Sequence, residues 1–304
     1  MPNNNHWTLI DMPDQSGRVA IVTGANSGIG YATTQALVQK GGLVIMGCRD
    51  LERANAAAEK IRAQLRPLAA VGVVVVMRLD LADLDSVEAF VVNFKARYER
   101  LDLLINNAGI MRPPYQLTQQ GFESQFGVNH LGHFALTGRL LDLMLHTAGA
   151  RIVTVSSLFE RFGRINFDDL NARESYQASV AYGQSKLANL LFTYELQRRL
   201  EAAGSEVIAV AAHPGWAATN LQKSALIQFF NRFLAQRPEM GALPTLYAAT
   251  APEIQGGDYI GPGGFMELSG PPKKVNSNGT AHDPAVAARL WAVSEEMTGV
   301  RSLI

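Results

Sequence analysis

Apolar runs of strand length alternate with helix-period segments along most of this chain, and that alternation is the strongest constraint on its fold. Val19–Thr23 is near-continuously apolar, as a strand buried on both faces requires. Gly28–Lys40 has helical periodicity and stops at Gly41-Gly42. Leu43–Gly47 reads as a second strand and Leu51–Leu65 as an alanine-rich helix ended by Pro67. Val73–Leu79, Leu101–Asn106, Arg151–Ser157 and Glu206–Ala212 continue the strands. Asp83–Tyr98, Thr118–Leu145 (broken near Gly132) and Tyr182–Ala203 read as the helices between them. Further helices are expected near Ser224–Ala235, Glu239–Thr250 and Pro284–Met297, with a short strand at Asp258–Ile260. Gly261–Asn278 is rich in Gly and Pro and reads as a surface loop. Strands alternating with helices of about 10–15 residues imply an α/β fold with a parallel sheet covered on both faces, doubly wound.

The 304 residues hold no convincing linker, so one domain over 17–304 is expected after a polar extension at 1–16. Hydrophobic residues are 47% and charged residues 18%, enough apolar mass for a core and too little charge for disorder. Lys+Arg and Asp+Glu are 27 each, so no basic excess points to nucleic acid. Cys48 is the single cysteine, which excludes an internal disulfide and a cysteine-based metal site. Met1–Gly17 lacks the basic start and apolar run of a signal peptide. Leu68–Met77, the most apolar stretch, is far short of the roughly 20 residues that span a bilayer. The expectation is a cytoplasmic protein with no metal and no membrane partner.

In a doubly wound sheet, ligands bind outside the carboxyl ends of the strands. The first strand exits into Thr23-Gly24-Ala25-Asn26-Ser27-Gly28-Ile29-Gly30. Glycines there let backbone approach a pyrophosphate, and the next helix offers free N–H groups. A plain glycine-rich turn is the alternative. The second strand exits at Cys48-Arg49-Asp50. An NAD-selective site places a carboxylate here to hold the ribose hydroxyls. Arg49 instead suits a 2′-phosphate, so NADP(H) is preferred over NAD(H) unless Arg49 is an ordinary surface residue. Asp80-Leu81 ends the third strand, where Asp80 either bonds an adenine or caps a turn. Asn107-Ala108-Gly109 follows the fourth strand and suits a close cofactor approach or a turn. Ser156-Ser157 ends the fifth, and Tyr182 and Lys186 lie four apart on one face of the next helix. His213-Pro214-Gly215 ends the sixth, with Thr219 soon after.

Together, T-G-A-N-S-G-I-G, N-N-A-G, the Ser-Ser exit, Y-x-x-x-K and P-G resemble the short-chain dehydrogenase/reductase family, in the right order from Gly17 to Thr219. The C-R-D after the second strand, Val128–Phe134, Gly163–Phe167 and Ser185–Asn189 look like its retinol dehydrogenase-like branch. The resemblance implies a Rossmann-type fold and hydride exchange between a nicotinamide and an alcohol or carbonyl. It implies that Tyr182 moves the proton and that Lys186 lowers the phenol pKa and holds the nicotinamide ribose. It gives Ser157 the substrate oxygen and Asn129 a water in a proton relay. Gly24, Asn26, Ser27, Gly28, Ile29, Gly30, Arg49, Asp80, Leu81, Asn107, Ala108, Gly109, Pro214, Gly215 and Thr219, with Tyr182 and Lys186, would line the cofactor. Membrane-bound members carry an apolar N-terminal anchor that this chain lacks, so retinoid activity is not carried over. A homodimer or homotetramer is expected by analogy alone.

His130, His133 and His213 read as core residues, since no third metal ligand accompanies the first two. The long Ser157–Tyr182 interval carries Phe159, Phe162, Ile165, Phe167 and Tyr176, too apolar for a free linker. Leu226, Phe229, Phe230 and Phe233 form a stripe at helical spacing, expected as a substrate lid within 216–237 rather than plain core. The expected substrate is a small apolar ketone, aldehyde or alcohol. Three other readings are open to such a chain. A non-catalytic NADP-binding sensor usually loses the Tyr or Lys, both present here. A nucleotide-sugar epimerase tends to have a G-x-x-G-x-x-G loop, not seen here. A C=C reductase would keep the same Tyr and Lys.

Overall fold

The computed structural model describes residues 6–68, 71–215, 237–301 and 304. Eight strands form one sheet in the order β3-β2-β1-β4-β5-β6-β7-β8. They are β1 (Val19–Thr23), β2 (Leu43–Cys48), β3 (Val73–Arg78), β4 (Leu103–Asn106), β5 (Arg151–Val155), β6 (Ile208–Ala212), β7 (Tyr259–Pro262) and β8 (Pro272–Lys274). The helices are α1 (Gly28–Gln39), α2 (Leu51–Leu65), α3 (Leu84–Lys95), α4 (Gly132–Leu145), α5 (Ala178–Ala202), α6 (Pro238–Thr250) and α7 (Pro284–Thr298).

Successive strand residues point to opposite faces, and the core divides accordingly. Ala20, Val22, Val44 and Met46 pack with Leu37, Ile61 and Leu246, under α1, α2 and α6. Val19, Ile21 and Ile45 pack with Phe90, Leu140, Phe192 and Trp291, under α3, α4, α5 and α7. The first seven strands are mutually parallel, while β8 is antiparallel to β7. Gly261–Asn278 is therefore partly sheet, a correction to the loop expected there. Pro272 ends up opposite Pro262 on this edge, a position where a missing ladder donor is tolerated.

From residue 6 onward the polar extension is docked: Trp7 packs edge-on against Tyr247 of α6 at 5.3 Å, and Met12 is buried. The long helix expected from Thr118 begins at Ser124 instead, because Leu117 and Glu123 form a β-bridge. It runs through a π-helical turn, Gly127–Leu131, into α4. The buried Glu123 carboxylate accepts the N–H groups of Gln125 and Phe126 and so caps its start. The helix expected at Ser224–Ala235 and the lid stripe lie outside the described residues, as does Thr219. Among the described residues, no helix is long and apolar enough to cross a membrane.

Candidate active site

The strand order reverses between β1 and β4, and a cleft of about 740 Å³ opens at the carboxyl ends beside that point. Among the described residues, every site residue singled out in the sequence lines it except Asn129. One end is built by the glycine loop. Gly24 and Gly28 have φ of +65° and +55°, which disfavours any residue with a Cβ. A Cβ on Gly30 would come within 2.5 Å of the Gly24 carbonyl and of Asn107 Nδ2. Ser27, at the N-cap of α1, makes no side-chain capping bond, so the first-turn N–H groups are left for another acceptor. These features fit a dinucleotide phosphate.

Asn107 donates from Nδ2 to the Thr23 carbonyl at 2.7 Å, tying β4 to β1 beneath the loop. Arg49 is exposed at the cleft wall and makes no hydrogen bond or ion pair among the described residues. Arg53, one helical turn further on, lines the same wall. Sequence reading missed Arg53, although i, i+4 spacing from Arg49 was the available signal. Asp80 caps the turn after β3, its Oδ1 accepting from Ala82 N at 3.0 Å.

The other end holds Ser157, Tyr182 and Lys186. The two serines of the β5 exit diverge: Ser156 Oγ donates to the Lys186 carbonyl at 2.8 Å, while Ser157 hydrogen-bonds the Tyr182 hydroxyl. Burial pushes the Tyr182 phenol up to about 12, against a smaller opposing effect of Ser157. Burial also pulls Lys186 down to about 8. Lys186 Nζ donates to the Val155 carbonyl at 3.0 Å and lies 5.8 Å from the centre of the Tyr182 ring. Burial is the dominant influence on the phenol in the folded chain. Asn129 is fully buried, and its carboxamide is committed to Ile110 N and O at 2.8 and 3.0 Å and to Ser185 Oγ at 2.9 Å. Its side chain clamps the loop after Gly109 and does not line the cleft.

Leu158, Phe159, Phe162, Ile110, Met111 and Leu268 wall this end. Phe159 stacks edge-on against Tyr182 at 5.4 Å and against Phe162 at 6.4 Å. Glu160, in the 3₁₀ turn Leu158–Phe162, is buried and accepts from Asn278 N at 3.2 Å. Arg161 pairs with Glu267 at 2.8 Å. Burial raises the Glu160 carboxyl to about 7. Folded Glu160 therefore keeps its proton to a higher pH than the unfolded chain, and stability is lost as pH rises from about 4.5 through about 7, by about 1.4 kcal/mol per unit. Glu160→Gln should match the parent's thermal midpoint at pH 5 and exceed it at pH 8. An unchanged difference between the two pH values in a melting experiment would refute the assignment.

A parallel sheet of this order, with a glycine loop at one end of its cleft and a Ser-Tyr-Lys group at the other, defines an α/β oxidoreductase. The chain belongs to the short-chain dehydrogenase family, whose model matches residues 18–228. It is similar to human retinol dehydrogenase 14, at 45% identity over 93% of this chain and 87% of that protein. A solved structure of an uncharacterized protein from Mycobacterium paratuberculosis is also 45% identical, with a TM-score of 0.84 over 98% of this chain and all of that one. A Beutenbergia cavernae structure with bound NADP is 26% identical, with a TM-score of 0.62 over 78% of this chain and 91% of that one. The chain is an oxidoreductase of the retinol dehydrogenase-like branch that interconverts alcohols and carbonyl compounds.

Proposed function

We propose that the protein is an NADP(H)-dependent reductase of apolar aldehydes and ketones, reversible toward the alcohol. One observation carries this reading: a single cleft joins Arg49, which has no partner among the described residues, and the α1 N-terminus to Tyr182 and Ser157 under an aromatic wall. The cofactor, when bound, supplies or accepts the hydride. The first-turn N–H groups of α1 would hold its pyrophosphate, and Arg49 with Arg53 its 2′-phosphate. Lys186 is placed to hold the nicotinamide ribose. Ser157 orients the substrate oxygen by hydrogen bonding and shares it with Tyr182. A phenol held near 12 stays protonated at neutral pH, so Tyr182 is poised as the acid that delivers a proton to that oxygen. In alcohol oxidation the phenolate of the same side chain takes the proton back.

Phe159, packed edge-on against Tyr182, shields the reacting oxygen and favours bulky apolar substrates, by about 0.8 kcal/mol per buried methylene. The test is nicotinamide absorbance with NADPH and with NADH against a carbonyl panel that includes all-trans-retinaldehyde, small polar ketones and enones. Turnover should be fastest with NADPH and a long apolar aldehyde. Preference for NADH, or reduction of the enone C=C bond alone, would overturn the reading.

A further inference from the structure

His133 is fully buried in the first turn of α4, and the chemistry above does not use it. Its Nε2 lies 2.9 Å from Thr23 Oγ1 and its Nδ1 2.9 Å from the Asn129 carbonyl. Counting lone pairs sets its protonation. Thr23 Oγ1 accepts the backbone N–H of Asn107 and of Ala108, each at 2.9 Å. A hydroxyl oxygen has two acceptor positions, so both are filled and its own proton must be donated. The acceptors in reach are His133 Nε2 at 2.9 Å and the Ile105 carbonyl at 3.4 Å. The nearer one takes it. Nε2 therefore bears the lone pair and Nδ1 the hydrogen, which it gives to Asn129 O, an atom that can only accept. The other tautomer would aim an N–H at a saturated oxygen and set two lone pairs against each other. Burial and the neighbouring Lys186 charge keep the ring neutral, with its pKa down at about 4.

We infer that His133, as the neutral Nδ1–H tautomer, is a positioning residue that ties the glycine loop to the catalytic helix through a directed chain of buried hydrogen bonds. The Thr23 hydroxyl donates to His133, and His133 donates to the Asn129 carbonyl. Asn129 Nδ2 donates to Ser185 Oγ at 2.9 Å, and Ser185 Oγ donates to the Tyr182 carbonyl at 2.8 Å. Thr23, His133, Asn129 and Ser185 are all shielded from solvent, so water cannot replace a lost link. The chain begins at the loop that precedes α1 and ends on the backbone of the residue that moves the proton. It sets the distance between the two ends of the cleft without touching a reacting atom. Its link to catalysis rests on the role proposed for Tyr182; the tautomer does not.

The test uses the full chain labelled with ¹⁵N-histidine and ¹³Cζ-tyrosine. From pH 5.5 to 8, His133 should show a protonated Nδ1 and an unprotonated Nε2. An Nε2–H tautomer, or an imidazolium in that range, overturns the inference. His133→Phe keeps the ring and removes both bonds. It should move the Tyr182 ¹³Cζ resonance and lower kcat about 10- to 100-fold with NADPH and all-trans-retinaldehyde, since small misplacements cost about that much. KM should change less than about threefold. Thr23→Ser, which retains the hydroxyl, should keep parental kcat and Tyr182 resonance; Thr23→Val should behave like His133→Phe, and this pair carries the test if the Phe variant does not fold. A lowered melting temperature with an unmoved Tyr182 resonance makes His133 mere core and sinks the proposal. Absence of retinaldehyde turnover in the parent tells against the proposed substrate class, whereas the tautomer and the Tyr182 resonance are read without turnover.

Discussion

Tyr182→Phe is expected to lower kcat by about 10²–10⁴ in either direction while NADPH binding stays within about twofold. The substitution removes one oxygen. That oxygen hydrogen-bonds Ser157, and the ring keeps its edge-on contact with Phe159 at 5.4 Å, so the fold around it should hold. The buried phenol is already held protonated, so its replacement by an apolar ring should not destabilise the chain. Stopped-flow NADPH oxidation and a fluorescence titration of NADPH separate the two effects. A variant that keeps most of its turnover would show that another group delivers the proton. Coupled loss of cofactor affinity and thermal stability would instead mean that the hydroxyl is a structural anchor.

Arg49→Ala is expected to weaken NADPH by about one to two decades and NADH much less, because only the former carries the 2′-phosphate. Arg53 lines the same wall and should retain part of the attraction, so the Arg49→Ala/Arg53→Ala double variant should lose selectivity further than either single one. The effect should shrink as salt is raised, since exposed charges are screened. Isothermal titration with both cofactors at two ionic strengths decides it. Equal loss for NADPH and NADH would make Arg49 structural, and a parent enzyme that favours NADH would remove the NADP reading altogether.

Strong local signals were legible in the sequence. Val19–Thr23 matched its strand because a doubly buried strand is apolar up to its last residue, Thr23. Arg49 was visible because it follows Cys48, which stands where a carboxylate is otherwise expected. Signals that depend on the rest of the molecule were not. Pro272–Lys274 has the composition of a loop and becomes a strand only because β7 offers it a ladder. The π-helical turn at Gly127–Leu131 leaves no periodic mark over five residues. The carboxamide partner of Asn129, Ile110, lies nineteen positions away in a loop whose path no periodicity reveals. The burial that dominates the Tyr182 phenol was equally invisible, because spacing shows Lys186 as a neighbour but not how deeply the ring is enclosed.

The family model ends at residue 228, yet the sheet and the serine turn do not. β7, β8 and α7 follow it, Asn278 holds the Glu160 carboxylate, and Glu267 holds Arg161, all beside Ser157. During synthesis the glycine loop leaves the ribosome first and these braces leave it last. The serine turn at the reactive end of the cleft is therefore braced by the last-synthesised part of the domain, and its packing is complete only when that segment is in place.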